Sequence, residues 1–100
     1  MNHISEQLLP TDRFEQCEGN IVSDMAGEKV MLSVEKGKYY NLGEVGGRIW
    51  ELLSPPSTVA QVVDRLLEEY EVSRETCLAQ VNAFLDHLYA EGLIQRSQPE

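Results

Sequence analysis

Residues 37–53 read Gly37-Lys38-Tyr39-Tyr40-Asn41-Leu42-Gly43-Glu44-Val45-Gly46-Gly47-Arg48-Ile49-Trp50-Glu51-Leu52-Leu53, and the hydrophobic period changes in the middle of them. Lys38 to Leu42 carries two adjacent tyrosines and a leucine, side chains that suit a pleated, half-buried strand. Past Gly43, the residues Val45, Ile49, Leu52 and Leu53 stand at i, i+4, i+7 and i+8 with Trp50 beside them, the spacing of one helical face. A strand therefore passes straight into a helix. Ser54-Pro55-Pro56 ends that helix, because a residue before proline is pushed out of the α region.

Upstream, Ile21-Val22 is a short β-type patch closed by a turn-like Asp24-Met25-Ala26-Gly27-Glu28. Val30-Met31-Leu32-Ser33-Val34-Glu35 then alternates, with Val30, Leu32 and Val34 on one face. The loop that follows sets which side chains share that face, since a slip of one residue turns every side chain over. A two-residue loop, Lys36-Gly37, pairs Val34 with Tyr39 and puts Leu42 on the wrong side. A three-residue loop, Glu35-Lys36-Gly37, ends on a glycine able to take the left-handed conformation of a bulged turn. It gathers Val30, Leu32, Val34, Tyr40 and Leu42 together, and is the register expected.

Downstream, Thr58-x-x-Gln61 matches a capping box and opens a second helix with the stripe Val59, Val62, Val63, Leu66, Leu67 and Tyr70. Ser73 is the N-cap of a third helix running to Gly92, with Cys77, Val81, Phe84, Leu85 and Leu88 as its core stripe. Leu93-Ile94 packs after the glycine. The order predicts an α+β domain, a three-stranded antiparallel sheet followed by three helices, with a winged helix-turn-helix-like topology. The polar, aperiodic ends divide the chain into a flexible segment over residues 1–19, a domain over 20–95 and a flexible tail over 96–100.

Several chemistries are excluded at this level. Eight Lys+Arg against 17 Asp+Glu give a net charge of −9, the opposite of what a phosphate backbone rewards. The third helix, which a helix-turn-helix protein would lay in the major groove, has Arg74 as its one basic residue against Glu75, Asp86 and Glu91, with His87 left aside. Cys77 and His87 lie ten residues apart on it, about 15 Å and about 80° around the helix, too far for a nucleophile–base pair. Gly43-x-x-Gly46-Gly47 has the spacing of no phosphate-binding loop, and its small residues read better as a place of close helix approach. Glu68-Glu69-x-Glu71 diverges around a helix end, so no metal site is expected. Two cysteines without a C-x-x-C partner suit a reducing cytoplasm, and neither a signal peptide nor a membrane span is evident.

What remains is a strand edge beside aromatics. Lys38 to Leu42 ends a three-strand meander, so its free edge offers backbone hydrogen bonds to an extended peptide. The third helix supplies the other wall, and its flank Leu78, Asn82, Leu85 and Tyr89 stands at i, i+4, i+7 and i+11.

Residues 37–53, with Thr58-Val59-Ala60-Gln61-Val62-Val63-Asp64-Arg65-Leu66 and Val81-x-x-Phe84-Leu85-x-x-Leu88-x-x-x-Gly92-Leu93-Ile94, resemble the PqqD-like family. The likeness covers residues 20–95 and is nearest to the stand-alone RiPP recognition elements of lasso peptide biosynthesis. The resemblance implies a non-catalytic domain without a cofactor that binds the leader region of a ribosomally made precursor and delivers it to a leader peptidase. It implies that the leader adds to the third strand and lies against the third helix. The leader-binding residues expected are Lys38, Tyr39, Tyr40, Asn41 and Leu42 on the strand, with Leu78, Val81, Asn82, Leu85 and Tyr89 on the helix. Lasso leaders of this type present Tyr, Pro and Leu for docking, for which Tyr39, Leu78 and Leu85 are the receivers suggested by spacing. The net charge predicts a neutral to basic leader. Two other readings stand beside this one: a PqqD-type chaperone serving a radical SAM enzyme, and a winged-helix DNA-binding regulator.

Overall fold

A computed structural model describes residues 12–97. In chain order, β1 (Arg13–Gln16), β2 (Asn20–Met25), β3 (Glu28–Ser33) and β4 (Lys38–Leu42) precede α1 (Gly43–Leu52). β5 (Ser57–Thr58) then leads into α2 (Val59–Glu69), and α3 (Arg74–Ala90) is followed by β6 (Ile94–Arg96). β2, β3 and β4 form an antiparallel meander in that order, and the three helices follow it, so the α+β, winged helix-turn-helix-like architecture holds.

The meander has the other face inward. Met31 pairs with Tyr40, Leu32 with Tyr39 and Ser33 with Lys38, so the loop is the four residues Val34 to Gly37, one longer than the sequence predicts. One extra residue flips the parity. Val22, Met31 and Tyr40 form the inward row, and Met31 is fully buried. Ile21, Leu32 and Tyr39 form an outward row, and Tyr39 is 74% exposed. The expected grouping thus splits: Tyr40 and Leu42 point inward, Val30 and Leu32 outward, and Val34 sits in the loop. The longer loop is stabilised by its own backbone. Val34 N–H donates to Gly19 O at 3.1 Å, and Gly37 N–H to Ser33 O at 2.8 Å, with Gly37 at φ +66° as a left-handed turn requires.

The segment over 1–19 is a second correction. Its described end forms β1, the centre of a second sheet in the order β5-β1-β6, antiparallel on both sides. Phe14 is 0% exposed within it, and Arg96, expected in the flexible tail, belongs to β6. Cys17 N–H donates to Leu93 O, Val59 N–H to Asp12 O and Ser97 N–H to Arg13 O, which ties the start of α2 and the chain after α3 to one strand. Alternating patterning is invisible in a four-residue strand with one large apolar side chain. The expectations for residues 1–11 and 98–100 lie outside the described residues.

The helices follow their predicted stripes. Ile49, Trp50 and Leu53 from the first, Val59, Val62, Val63 and Leu66 from the second, and Cys77, Val81, Leu85 and Leu88 from the third are buried together. Thr58 and Gln61 complete the capping box in both directions, at 3.1 and 2.9 Å, and Ser73 Oγ accepts from Thr76 N–H at 3.1 Å. Arg48 holds α1 against the end of α2 with two bonds to the Glu69 carboxylate, at 2.8 and 2.7 Å.

Phe14→Ala tests whether β1 is part of the domain. Removing a fully buried phenylalanine should cost about 3–5 kcal/mol in urea unfolding; a loss under about 1 kcal/mol would make β1 an appendage.

Candidate functional site

β4 is the outermost strand of its sheet, and its far edge has no strand partner among the described residues. Alternate residues of such a strand turn their N–H and C=O groups outward, ready to pair with an extended chain. Strand alternation then separates the two tyrosines. Tyr39 stands on the outward face beside Leu32, whereas Tyr40 is half-buried on the inward side, under the end of α3.

There the strand meets the helix through one carboxylate. Tyr40 OH donates to Glu91 Oε1 at 2.9 Å. Lys38 Nζ lies 3.8 Å and Lys36 Nζ 4.0 Å from the same oxygen, and Lys36 also donates to the Glu91 carbonyl. Lys38 sits 5.9 Å from the Tyr40 ring centre, a cation–π distance. The hydrogen bond from Tyr40, then the Lys38 ammonium, holds the Glu91 carboxyl below the usual carboxylate range. Desolvation, then the bond to Glu91, pushes the Tyr40 phenol up.

The contacts of α3 decide which of its flanks faces β4 and α1. A Cβ built on Gly46 of α1 would lie 2.8 Å from the Phe84 ring, so α1 and α3 touch there. Phe84 and Glu91 are seven residues apart, two turns along one stripe. The flank toward β4 therefore carries Phe84 and Glu91, with Gln80 continuing it. The sequence favours the opposite flank, and the structure places that one elsewhere. Tyr89 packs edge-on against Phe14 of β1, with ring centres 6.1 Å apart and Arg96 over both rings. Val81 and Leu85 are core residues with no exposed surface, and Leu78 packs against the core from one side. Asn82 Oδ1 is buried with no hydrogen-bond partner among the described residues. On the strand, Lys38 and Tyr40 line the strand–helix junction, Leu42 is buried in the core, and Tyr39 and Asn41 face outward. Phe84 is the residue that the helical stripe hides, because i+3/i+4 spacing assigns it to the core and does not say that its ring reaches the strand side. A signal was present in Gly46-Gly47, which marks where a neighbour comes close.

The profile of the family described as Coenzyme PQQ synthesis protein D (PqqD) matches residues 28–94, well over half the chain. The chain belongs to the PqqD family. Two solved structures share its fold. One, "TbiB1 in Complex with the TbiA(beta) Leader Peptide", has a TM-score of 0.74 at 28% identity and covers 85% of this PqqD-family chain and 99% of that chain. The other, "Lasso peptide synthetase B1 complexed with the leader peptide", has a TM-score of 0.72 at 24% identity and covers 82% and 96%; at that identity it speaks for the fold alone. No curated protein matches the chain.

Among the described residues no three His, Cys, Asp or Glu side chains gather as metal ligands, and no helix is long and apolar enough to cross a membrane. Burial raises the pKa of the free thiols Cys17 and Cys77, which makes both poor nucleophiles at neutral pH.

The Tyr40–Glu91 bond has a pH signature. A carboxyl whose folded pKa is depressed contributes stability above its unfolded value of about 4.3, and the contribution disappears as pH falls through the folded value. Tyr40→Phe should move the Glu91 titration back up toward that ordinary value, read by carbon-detected NMR of the carboxyl. An unmoved midpoint would mean that the bond does not form in solution.

Proposed function

We propose that this PqqD-family chain binds the leader region of a ribosomally made lasso precursor as a strand added to the free edge of β4, against the Phe84 flank of α3. It catalyses nothing itself and presents the leader, held extended, to a leader peptidase in the cytoplasm. The observation that carries this reading is the edge of β4 toward α3, which has no strand partner among the described residues, in a chain 28% identical to TbiB1, whose structure holds a leader peptide. Binding raises the local concentration of precursor at the peptidase and fixes the approach of its scissile bond. A leader that is unstructured when free must be ordered on binding, so affinity rests on a few anchors rather than on the length of contact.

Membership of the PqqD family favours one second reading, a chaperone that hands the same kind of peptide to a radical SAM enzyme. The groove is shared by both; only the receiving enzyme differs. A DNA-binding role fares worse, because Arg74 on α3 is already engaged with Asp64 at 2.8 Å.

The test is a titration of the protein with fluorescent synthetic leaders, the TbiA(beta) leader among them, and with duplex DNA as control. Leaders should bind at roughly ten micromolar or tighter, about −7 kcal/mol, and DNA should not. Phe84→Ser should weaken leader binding roughly tenfold or more, and Leu78→Ser by less than about threefold, with folding checked by circular dichroism. Saturable DNA binding without leader binding would overturn the reading. A larger loss from Leu78→Ser than from Phe84→Ser would return the groove to the Leu78 flank.

A further inference from the structure

β2 is the other outer strand of the meander, and its far edge has no strand partner among the described residues. The ladder with β3 fixes which backbone groups point there. Ala26 and Gly27, at φ +56° and +87°, make a two-residue hairpin turn between Met25 and Glu28. At the other end of the strand Val34 N–H donates to Gly19 O at 3.1 Å, so the bonded pairs fall on Gly19 and on every second residue after it. Ile21, Ser23 and Met25 thus bond to β3, while the N–H and C=O groups of Asn20, Val22 and Asp24 turn to the open edge. The devices that guard such an edge are missing from β2: it has no lysine, no proline and an unbroken register. Its one charge, Asp24, is answered by Lys29 directly across the ladder, at 2.9 Å. Beside the edge, Ile21 and Met25 are 56% and 59% exposed.

An antiparallel edge can pair with itself about a two-fold axis, and the sequence of β2 separates the possible registers. Centred on Val22, the whole strand overlaps: Val22 meets Val22, and Asn20 meets Asp24 of the second copy on both sides of the axis. These are the three residues whose backbone groups point outward, so each pair exchanges two hydrogen bonds, about six in all. Their side chains share one face, where apolar meets apolar and a carboxylate meets a carboxamide. Asn20 Nδ2 donates to Cys17 O at 3.1 Å and carries a second N–H for that carboxylate. Moving the axis to Ile21 sets Asp24 against Glu18, to Ser23 against Val22, and to Asp24 against itself.

We infer that β2 is a self-association edge, through which a second copy of this chain continues the sheet in the order β4-β3-β2-β2-β3-β4. Both β4 edges stay open at its ends, so the dimer takes a peptide on each side. The contact is small, and two bodies of net charge −9 repel, so the dimer is weak and tightens as salt screens the repulsion.

Sedimentation equilibrium of the full chain at low and high salt reads this association directly. Half of the chains should be dimeric at roughly 20–500 µM, and the dissociation constant should fall about threefold or more as salt rises from about 0.05 to 0.5 M. Asn20→Asp sets carboxylate against carboxylate at both ends of the contact and should weaken the dimer roughly tenfold. Asn20→Asp combined with Asp24→Asn exchanges the two partners at the wild-type net charge, and should return the constant to within about threefold of the wild type. Both proteins lose the Asn20 bond to Cys17, so the difference between them reports the contact alone. Amide exchange at Asn20, Val22 and Asp24 should slow as concentration rises. A chain monomeric at every concentration would overturn the inference, as would a dimer indifferent to Asn20→Asp, which would join through another surface. So would β2 amides protected at every dilution, since residues 1–11 of the same chain would then cover the edge.

Discussion

The closeness of α1 to its neighbours governs the rest of the structure. A Cβ on Gly47 would lie 2.7 Å from Lys29 Cβ and 2.1 Å from its Cγ, and one on Gly46 2.8 Å from the Phe84 ring. At these two points α1 lies directly on the Lys29 side chain of β3 and the Phe84 ring of α3, with no room for a Cβ on either glycine. Both contacts come from adjacent residues in the first turns after β4, so the strand edge and α3 are held by the same short segment. Their separation is then set by the Phe84 and Lys29 side chains pressed against the bare α1 backbone. A side chain at either glycine would push α1 off one of these neighbours and shift the strand edge relative to α3.

The second sheet fixes the other end of α3. β1 pairs with β5 before α2 and with β6 after α3, and Phe14 fills the space under Tyr89. The helix is therefore clamped by Gly46 near its middle and by β6 beyond its C-terminus. Glu91 follows directly on the last helical turn, and its alignment with Tyr40 depends on both clamps. The strand–helix contact that closes the groove is thus determined at a distance, by a strand near the start of the chain.

Much of this was legible in the sequence. The change of period at Gly43, the capping box at Thr58, the Ser73 cap and the apolar stripes located the three helices, because each signal is local and redundant. The meander was legible in its order but not in its facing. Val30, Leu32 and Val34 alternate as cleanly as a core face should, yet Met31 is the residue buried, since the loop holds four residues rather than three. Parity depends on a single residue and no periodicity reports it. β1 was missed because its place is set by partners about 40 and 80 residues away in sequence, which no local window sees. For the site, the strand was identified from its edge position, but the helix flank could not be. Leu78 and Phe84 flank the core stripe almost symmetrically, and only tertiary contacts, Phe84 on Gly46, Glu91 on Tyr40 and Tyr89 on Phe14, break the tie.

The same contacts change the meaning of the net charge. Lys29, Lys36, Lys38, Arg48, Arg65, Arg74 and Arg96 each stand within an ion pair, and the two lysines nearest the groove converge on Glu91. With the bases so engaged, the excess of −9 is carried by carboxylates spread over the remaining surface. Such a field acts over about 8–10 Å at moderate salt and favours the approach of a basic over an acidic partner. At short range the strand–helix junction holds the half-buried Phe84 ring against Gly46, and the Lys36 and Lys38 charges there are answered by Glu91. For the leader binding proposed above, electrostatics would then govern how fast the peptide arrives and apolar contact how long it stays. Raising the salt should therefore slow association while leaving the dissociation rate nearly unchanged.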